Sequence, residues 1–484
     1  MKIFYAMPFT GKTYEQLVKE KKTIQELVNS FGLELNEQFL GVESKNEFED
    51  HAYGPLFIAE KDHSLIRNSD ILIADYSRHS IGRDCEIVIA KEIFDKRVIS
   101  IVPSRGMQNH PWIRLYSDYI VGSQNEALNL AQKLSSFSLS SNISSLSREQ
   151  KDTIDIQVNE LVKERGINYV TELFPTELKR RWQKLFGKEY RIILDYCFKA
   201  LPKTLRANTV KANVQKFKKF AKKQGWKLKT LDFSNIAFRL HPNLRPHFSE
   251  IPEHQKGLFY VQDFASMIPA IILDPKSEEK VLDIAAAPGS KTTQIAQLME
   301  NKGYILANDI STERLDVVKK SCKRLGIKIV KISLGDGVKL GEKYKEVFDK
   351  VLVDAPCTNE GILGYKVHKF FEWNLLLLYR ITKVQKDLLE SGFKALKVGG
   401  TLVYSTCSYA PEENEQVVDF LLKKYPNSDV KIIKLKGVKT RSGLTKWEHL
   451  EFDQRLMQTA RVFPQDNNSI GFYVAKIIKK KSKI

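Results

Sequence analysis

Two cysteines in the C-terminal half of the chain each follow a short apolar run. Cys357 ends the run Val-Leu-Val-Asp-Ala-Pro-Cys, and Cys407 ends the run Gly-Thr-Leu-Val-Tyr-Ser-Thr-Cys. A third apolar run, residues 281–284, leads into a loop of small residues at 285–291 and then a helical pattern. Thiols at the ends of two strands of one nucleotide-binding-type domain predict covalent chemistry beside a bound cofactor.

The chemistry that two such thiols suit is methylation of carbon 5 of a pyrimidine, because that carbon is not nucleophilic by itself. A thiolate that adds at carbon 6 makes carbon 5 an enamine carbon, which can attack a methyl sulfonium. The reaction also needs an acid near ring nitrogen 3 and a base. Cys407 and Cys357 can supply the thiols, and Asp354 can bond nitrogen 3. A buried cysteine can instead pack as a small hydrophobe, which is our interpretation of Cys197 and Cys322.

Acidic residues follow the next two predicted strands. Asp309 follows Leu-Ala-Asn and can accept hydrogen bonds from both hydroxyls of a ribose, whereas Asp336, in Gly-Asp-Gly, can reach an adenine amino group. A turn or helix cap is the alternative for either carboxylate. Because ligands bind at the carboxyl ends of strands in such sheets, the recurrence predicts a nucleotide-type cofactor. The loop that would contact it consists of Ala285, Ala286, Ala287, Pro288, Gly289, Ser290 and Lys291.

Six runs carry a resemblance to a known family: Leu205-Arg-Ala-Asn-Thr209, Tyr260-Val-Gln-Asp-Phe-Ala-Ser266, residues 283–291, Asp354-Ala-Pro-Cys357, Tyr404-Ser-Thr-Cys-Ser408 and Gly471-Phe-Tyr-Val-Ala475. With them, residues 205–478 resemble the Sun-type (NOL/NOP/Sun) family of RNA cytosine-C5 methyltransferases. The chain departs from the family pattern after Cys357, where Thr-Asn-Glu replaces the common Ser-Gly, and at Gln465, where His is frequent.

This resemblance implies a role for each matching residue. Cys407 would be the nucleophile that forms the RNA adduct, and Cys357 would assist release of the product. Asp354 would orient the cytosine and border the methionine moiety of the cofactor. The loop 285–291, Asp309, Asp336 and Asp354 would bind S-adenosyl-L-methionine.

Apolar periodicity predicts two α/β regions. In the N-terminal region, strands are predicted at 2–7, 70–75 and 97–102, and helices at 14–30, 83–94 and 124–134. In the C-terminal region, strands are predicted at 280–284, 303–308, 327–333, 350–354, 400–405 and 471–477. The Ser-rich residues 134–147 read as a linker.

The N-terminal region carries a weaker catalytic signal. Glu86 stands at the start of a predicted helix after Gly82, and Asp62 precedes a predicted strand. Two carboxylates can cleave an N-glycosidic bond, although a favourable helix-end charge and a surface charge are the plain alternatives. Residues 2–134 resemble the nucleoside 2-deoxyribosyltransferase-like family, which includes nucleotide N-glycosidases. That resemblance makes Glu86 the nucleophile and Asp62 the assisting carboxylate, and it puts residues near Tyr5 in the sugar pocket.

Charge is distributed unevenly along the chain. Residues 1–133 hold 16 Lys and Arg against 19 Asp and Glu, a net charge of −3. The net charge of the whole chain is +19, so the remaining residues carry +22. Between 152 and 223 the sequence is basic and helical, with runs at 179–184 and 211–223. In the second run Val214, Phe217, Phe220 and Ala221 share one helical face, which puts the lysines on the other. A polyanion such as RNA suits this surface, although a solvated helix face is the alternative for either run.

These observations predict an α/β RNA-modifying enzyme. Its parts are a deoxyribosyltransferase-like open α/β domain (1–134), a Ser-rich linker (135–150), a basic helical and α+β RNA-binding segment (151–255) and a Rossmann-like methyltransferase domain (256–484). Five scattered cysteines without metal-ligand spacing indicate a reducing cytoplasm and no metal site. No apolar run is long enough to span a membrane.

Several alternatives remain at this point. On family grounds tRNA is favoured over rRNA as the substrate, and association of copies through the N-terminal domain is expected. A DNA cytosine-C5 methyltransferase, a catalytically silent RNA-binding protein, and a protein whose main activity is nucleotide N-glycoside hydrolysis by the N-terminal domain are the rivals.

Overall fold

The chain folds into two compact units. The computed structural model describes residues 1–6, 13–36, 63–77, 81–103, 107–135, 146–244 and 246–481. One unit comprises Met1–Phe198 together with Tyr365–Leu377, and the other comprises Lys199–Gly364 together with Leu378–Ile484. Across the described ranges, no helix combines the length and the apolar character needed to cross a membrane.

The first unit is built on a five-stranded parallel sheet. Its strands are β1 (Lys2–Ala6), β2 (Glu34–Leu35), β3 (Ile71–Asp75), β4 (Arg97–Ile101) and β5 (Tyr119–Val121). They are arranged in the order β2-β1-β3-β4-β5, the flavodoxin-like order of open α/β sheets. The three predicted strands are therefore present, and their residues are almost all buried, as parallel strands covered by helices require.

The described residues of the first unit also form helices around this sheet. They are Tyr14–Ser30, Ile81–Val88 with the π-helical turn Ile89–Ile93, Pro111–Tyr116, Gln124–Ser135, Arg148–Glu172, Thr176–Phe186, Tyr190–Cys197 and His368–Glu372. Phe370, from the segment contributed by the C-terminal half, stacks on Phe174 with ring centroids 3.8 Å apart. Asp155 accepts a hydrogen bond of 2.7 Å from the backbone N–H of His368.

The basic run at 179–184 is only partly a surface feature. Arg181 is 4% exposed and Trp182 is buried beside it on the helix Thr176–Phe186. The expectation that this whole run faces a polyanion is therefore wrong for Arg181, because the helix turns that residue inward together with its apolar face.

The second unit begins with a four-stranded antiparallel sheet. Its strands are β6 (Thr204–Ala207), β7 (Leu228–Leu231), β8 (Ser234–Leu240) and β9 (Phe259–Val261), in the order β7-β8-β6-β9. The helix Val214–Lys223 belongs to the same core, because Phe217, Phe220 and Ala221 are buried in it. The predicted apolar face is confirmed, and its lysines are exposed.

A nine-stranded sheet forms the larger part of the second unit. Five parallel strands come first: β10 (Lys280–Asp283), β11 (Tyr304–Asp309), β12 (Val330–Leu334), β13 (Phe348–Asp354) and β14 (Leu396–Thr406). β15 (Ser428–Lys431), β16 (Arg441–Ser442), β19 (Ala460–Val462) and β20 (Phe472–Lys479) join them, and β17 (Lys446–Trp447) pairs with β18 (Leu450–Glu451) separately. The order is β12-β11-β10-β13-β14-β20-β19-β16, with β15 also on β20.

Four helices lie in the crossovers between the parallel strands: Ser290–Leu298, Thr312–Leu325, Leu340–Lys343 and Leu375–Ala395. The helices Pro252–Gln255 and Ile268–Leu273 precede this sheet, and Glu415–Lys424 and Pro464–Asn467 lie among its later strands. All six predicted C-terminal strands are present, with ends shifted by up to four residues. The antiparallel additions β15, β16 and β19 were not predicted, because each is only two to four residues long.

Candidate active site

The two cysteine loops lie side by side because the strands before them are paired. β13 and β14 run parallel, and Asp354 is the register partner of Ser405. Parallel strands end at the same edge of a sheet, so the chain segments that follow them emerge together. Cys357 Sγ and Cys407 Sγ are 3.2 Å apart, within hydrogen-bonding distance for two thiols.

The two thiols have different surroundings. Cys357 is 8% exposed, whereas Cys407 is only partly buried. The hydrogen bond with Cys407, burial, and the negative charge of Glu413 hold the pKa of Cys357 well above its usual range. Asn359 Oδ1 lies 3.4 Å from Cys407 Sγ, and its amide donates to the Cys357 carbonyl at 2.9 Å. Cys407 is therefore the more accessible sulfur, and Cys357 is the one held as a neutral thiol.

Two glycines let the backbone pack closely against Cys407. The N–H of Gly361 donates to the Cys407 carbonyl at 2.7 Å, and the N–H of Gly471 donates to the Gly361 carbonyl at 2.9 Å. A Cβ atom at Gly361 would collide with the Gly471 carbonyl oxygen. Close approach of three backbone segments therefore fixes the position of the Cys407 loop.

Asp354 ends β13 beside the thiols and is tied down on both oxygens. Its Oδ2 accepts from Lys291 Nζ at 2.6 Å, and its Oδ1 accepts from Ser405 Oγ at 2.8 Å. Lys291 belongs to the segment expected to contact the cofactor, and in this structure it forms an ion pair with Asp354. The predicted loop after β10 and the predicted acid after β13 are thereby brought together.

The loop after β10 makes a sharp turn into the helix Ser290–Leu298. Gly289 has φ +98°, in the left-handed region that favours glycine, and a Cβ there would lie 3.2 Å from Val318 Cα. Ala286 and Ala287 are buried, Pro288 is exposed, and Ala285 and Ser290 lie between these extremes. The N–H of Ala286 donates to the Asn308 carbonyl at 2.7 Å, which joins this loop to the end of β11.

Asp309 and Asp336 also lie at the expected edge of the sheet. Asp309 Oδ2 accepts from the Ala287 N–H at 3.3 Å, and Arg314 lies 3.4 Å from the same oxygen. Asp336 is exposed, and its Oδ1 accepts from the Val338 N–H at 3.0 Å. One oxygen of Asp336 therefore caps the turn that follows, which was the alternative interpretation. The side chain as a whole is exposed to solvent at the end of β12.

Asp283, at the end of β10, is a buried carboxylate with one free oxygen. It is 1% exposed, and Oδ2 accepts from Thr292 Oγ1 at 2.6 Å. Oδ1 has no hydrogen-bond partner within the part of the chain that the structure describes. A buried acceptor without a donor is costly unless a ligand supplies the donor.

Several residues at this site were not predicted. Asn359 contacts Cys407, Ser405 donates to Asp354, and Glu413 accepts from both Thr358 and Ser408 in the two cysteine loops. The departure from the family pattern after Cys357 was a signal for Asn359. The two cysteines expected to pack as hydrophobes, Cys197 and Cys322, are buried free thiols, and burial raises the pKa of Cys322 to about 11.

The N-terminal site is only partly described. Glu86 lies half-buried in the helix Ile81–Val88, and Asp62 falls outside the described residues. Tyr5 and Asp75 lie near the carboxyl ends of β1 and β3, with Tyr5 Oη 3.3 Å from Asp75 Oδ2. Gln124 Nε2 also reaches that oxygen, at 3.3 Å. Asp75, which was not predicted, is the buried carboxylate at this edge.

In the second unit, small residues follow β10, acids lie at the ends of β11 and β12, and thiols lie in the segments directly after β13 and β14. Together with the parallel sheet, these features define a Rossmann-like methyltransferase. Residues 270–478 match the family model described as 16S rRNA methyltransferase RsmB/F. Residues 174–264 match the model for the N-terminal domain of 16S rRNA methyltransferase RsmF.

Individual relatives agree with the family models. The chain is 38% identical over 304 residues to a tRNA (cytosine(49)-C(5))-methyltransferase of Pyrococcus abyssi, covering 63% of this chain and 96% of that enzyme. It is 38% identical over 290 residues to ribosomal RNA small subunit methyltransferase F of Vibrio campbellii, covering 58% of each. A solved methyltransferase homologue from Pyrococcus horikoshii has a TM-score of 0.57 at 33% identity, over 67% of this chain and 99% of that one. The chain therefore belongs to the RsmB/F family of S-adenosyl-L-methionine-dependent RNA cytosine-C5 methyltransferases.

The residues present fit the cofactor of that family. S-adenosyl-L-methionine carries an ammonium group and a ribose, and the open oxygen of Asp283 is a buried acceptor of the kind an ammonium group satisfies. The helix Ser290–Leu298 begins directly after the loop 285–289, so its N-terminus favours a carboxylate. The donor set and the free acceptor at this edge are thus complementary to the charged end of the cofactor.

Asp283 should make the stability of the cofactor-free protein depend on pH. Burial raises the pKa of Asp283 to about 7, the hydrogen bond from Thr292 opposes the rise, and the charge of Asp354 adds to it. The folded state then holds a proton that the unfolded state, with a pKa of about 3.9, has lost. The free energy of unfolding therefore falls as pH rises between about 4 and about 7.

We expect Asp283→Asn to remove this component, so that its melting temperature declines less than that of the wild type between about pH 5 and about pH 8. Differential scanning fluorimetry without cofactor measures the two slopes. Asp232→Asn, at an exposed carboxylate, is the control and should keep the wild-type slope. Equal slopes for Asp283→Asn and the wild type would contradict the assignment.

Proposed function

We propose that Cys407 is the nucleophile of RNA cytosine-C5 methylation in this protein and that Cys357 assists its release. The observation that carries the proposal is the 3.2 Å contact between an accessible thiol and a buried one beside Asp354. An RNA base can reach the partly buried Cys407 more readily than Cys357. When bound, S-adenosyl-L-methionine supplies a methyl group on a positively charged sulfur.

The neighbouring groups support the remaining proton movements. The Cys407 thiol adds through Sγ to carbon 6 of cytosine and its proton passes to nitrogen 3, where Asp354 accepts a hydrogen bond from the new N–H. After methylation the proton on carbon 5 leaves to a base, and the carbon 5–carbon 6 double bond forms again as the bond between Cys407 Sγ and carbon 6 breaks. Cys407 leaves as a thiolate, which takes back the proton from nitrogen 3. The Cys357 thiol, 3.2 Å away and held neutral, can donate a hydrogen bond to that thiolate.

Two alanine variants separate these roles. We expect Cys407→Ala to lose the covalent RNA adduct and to lower methyl transfer by about a thousandfold or more, because the nucleophile is gone. We expect Cys357→Ala to form the adduct and accumulate it, because release is slowed. Denaturing gels of radiolabelled RNA and methyl-transfer assays measure the two effects.

Cys322→Ala is the matched control, since Cys322 is a buried thiol on the helix Thr312–Leu325, and it should behave as the wild type. Loss of the adduct in Cys357→Ala alone would reverse the assignment and would favour a mechanism of the DNA-methyltransferase type. An absence of S-adenosyl-L-methionine binding in calorimetry would favour a catalytically silent RNA-binding protein.

We propose tRNA as the substrate, with rRNA as the alternative. The match to the Pyrococcus abyssi tRNA enzyme extends over 96% of that enzyme, whereas the match to the Vibrio campbellii rRNA enzyme extends over 58% of it. We also propose that the segment 151–255 contacts the RNA. The helix Val214–Lys223 supports this, because it exposes Lys216, Lys218, Lys219, Lys222 and Lys223 on the side opposite its buried phenylalanines.

We expect the protein to methylate unmodified bulk tRNA faster than a 16S rRNA transcript, as measured by methyl incorporation and mapped by bisulfite sequencing. Lys219→Glu with Lys223→Glu should raise the KM for RNA and lessen its salt dependence, with the slope falling by about 2, because two phosphate contacts are lost. Lys19→Glu with Lys22→Glu, on the helix Tyr14–Ser30, is the control. Faster methylation of the rRNA transcript would select the alternative substrate.

For the N-terminal region we propose a nucleoside 2-deoxyribosyltransferase-like domain with N-glycosidase activity as a second function. The sheet order and the pair Tyr5–Asp75 at the carboxyl ends of neighbouring strands support it, since ligands bind at that edge. Glu86 would attack the anomeric carbon, with Asp62 assisting. The domain limits 1–134, 135–150, 151–255 and 256–484, association through the first domain and a cytoplasmic location are parts of the same proposal.

We expect release of free base from deoxynucleotides, detected by chromatography, and its loss by at least about a hundredfold in Glu86→Ala, because the nucleophile is removed. Glu92→Ala, on the same helical stretch, is the control and should keep the activity. Methyl transfer to RNA should be unchanged in both variants. A wild type that releases no base would leave this domain a binding module.

A further inference from the structure

A buried carboxylate joins the two cysteine loops. Glu413 is 0% exposed. Its Oε2 accepts from the Thr358 N–H at 2.9 Å, and its Oε1 accepts from Ser408 Oγ at 2.5 Å. Thr358 Oγ1 also donates to Oε1. Thr358 directly follows Cys357 and Ser408 directly follows Cys407, so one carboxylate holds the residue after each thiol.

Further bonds fix Glu413 itself. Gln385, on the helix Leu375–Ala395, donates from Nε2 to Glu413 Oε2 at 2.9 Å and to the Pro356 carbonyl at 2.7 Å. The Tyr404 hydroxyl, on β14, donates to the Glu413 carbonyl at 2.5 Å. The carboxylate thus receives four hydrogen bonds, and every partner is a donor. A fully buried carboxylate is costly unless it is satisfied in this way.

The charge of Glu413 also bears on the thiols. It is among the causes that raise the pKa of Cys357. Burial raises the pKa of Glu413 itself, while the donated bonds from Ser408 and Thr358 oppose the rise. Those bonds favour the ionised form. A negative charge at this point disfavours a second one on Cys357, which is the less accessible of the two thiols.

We propose that Glu413 is a positioning residue that holds the Cys357 and Cys407 loops at reacting distance and keeps the two thiols unequal. The catalytic part of this proposal rests on the proposed function of the two cysteines. Loss of the clamp would let the loops separate, and a displacement of about 1 Å at reacting groups costs about a hundredfold in rate.

The test compares Glu413→Gln with Glu412→Gln. Glu412 is the neighbouring buried acid, and it accepts a hydrogen bond from Trp447 Nε1 at 3.0 Å. We expect Glu413→Gln to lower kcat for RNA methylation about a hundredfold with little change in the KM for RNA, because positioning rather than binding is lost. Glu412→Gln should stay within about threefold of the wild type.

A second readout does not depend on methylation. Carbamidomethylation by iodoacetamide, followed by peptide mass spectrometry, reports the reactivity of each cysteine. We expect Cys357 to react about tenfold faster in Glu413→Gln than in Glu412→Gln, because its loop is released and the adjacent negative charge is removed. Cys322, buried on the helix Thr312–Leu325, should react equally slowly in both variants.

The outcomes are distinct. If Glu413→Gln matches Glu412→Gln in both kcat and Cys357 reactivity, the proposal is overturned. If Cys322 also becomes reactive, the variant has lost its fold, and Thr358→Val then decides. That variant should lower kcat about tenfold with Cys322 still protected, and wild-type kcat would overturn the proposal. If the wild type methylates no RNA, the proposed function fails, and the iodoacetamide comparison alone decides whether Glu413 holds the loops.

Discussion

The parallel pairing of β13 with β14 is the constraint on which the site depends. These strands occupy the middle of the nine-stranded sheet, and β10 flanks β13 on the other side. Their shared edge collects Lys291 from the loop after β10, Asp354 from β13 and Cys407 from the loop after β14. A slip of one residue between β13 and β14 would turn Asp354 and its partner Ser405 to opposite faces of the sheet. The chemistry therefore depends on register before it depends on any single side chain.

Apolar periodicity was sufficient to predict the elements that build this edge. The strands that end at Asp283, Asp309 and Asp354 and the strand before Cys407 are apolar, and their burial on both faces gives them a continuous hydrophobic pattern. The loop after β10 and the helix that follows it were also predicted, because small residues and Pro-Gly precede a helical pattern. The short antiparallel strands were missed because β15 and β16 consist largely of polar residues and β19 has only three residues.

The contacts that prepare the site were not readable in the same way. Glu413 binds Thr358, which is 55 residues away, and Gln385, which is 28 residues away. No local pattern indicates that these loops and this helix converge, because convergence follows from the strand order and the crossover between β13 and β14. Arg181 illustrates the converse error, since a basic run on an amphipathic helix does not reveal which cations turn inward. The burial of polar side chains is a tertiary property, and sequence reasoning assigns such side chains to the surface.

The two buried carboxylates of the site, Glu413 and Asp283, differ in how far the protein satisfies their oxygens. All polar partners of the Glu413 carboxylate come from the protein itself, so the cysteine loops are held before any substrate arrives. Asp283 keeps one buried oxygen without a partner among the described residues, at the edge where the cofactor is expected. A hydrogen bond from the cofactor to that oxygen would therefore stabilise the cofactor-bound protein and not the free protein. In the proposed mechanism, protein contacts already position the two cysteine loops, whereas the ammonium group of the cofactor would supply the donor that Asp283 lacks among the described residues. The free energy of cofactor binding then comes partly from satisfying Asp283, whereas the fold itself fixes the distance between the two thiols.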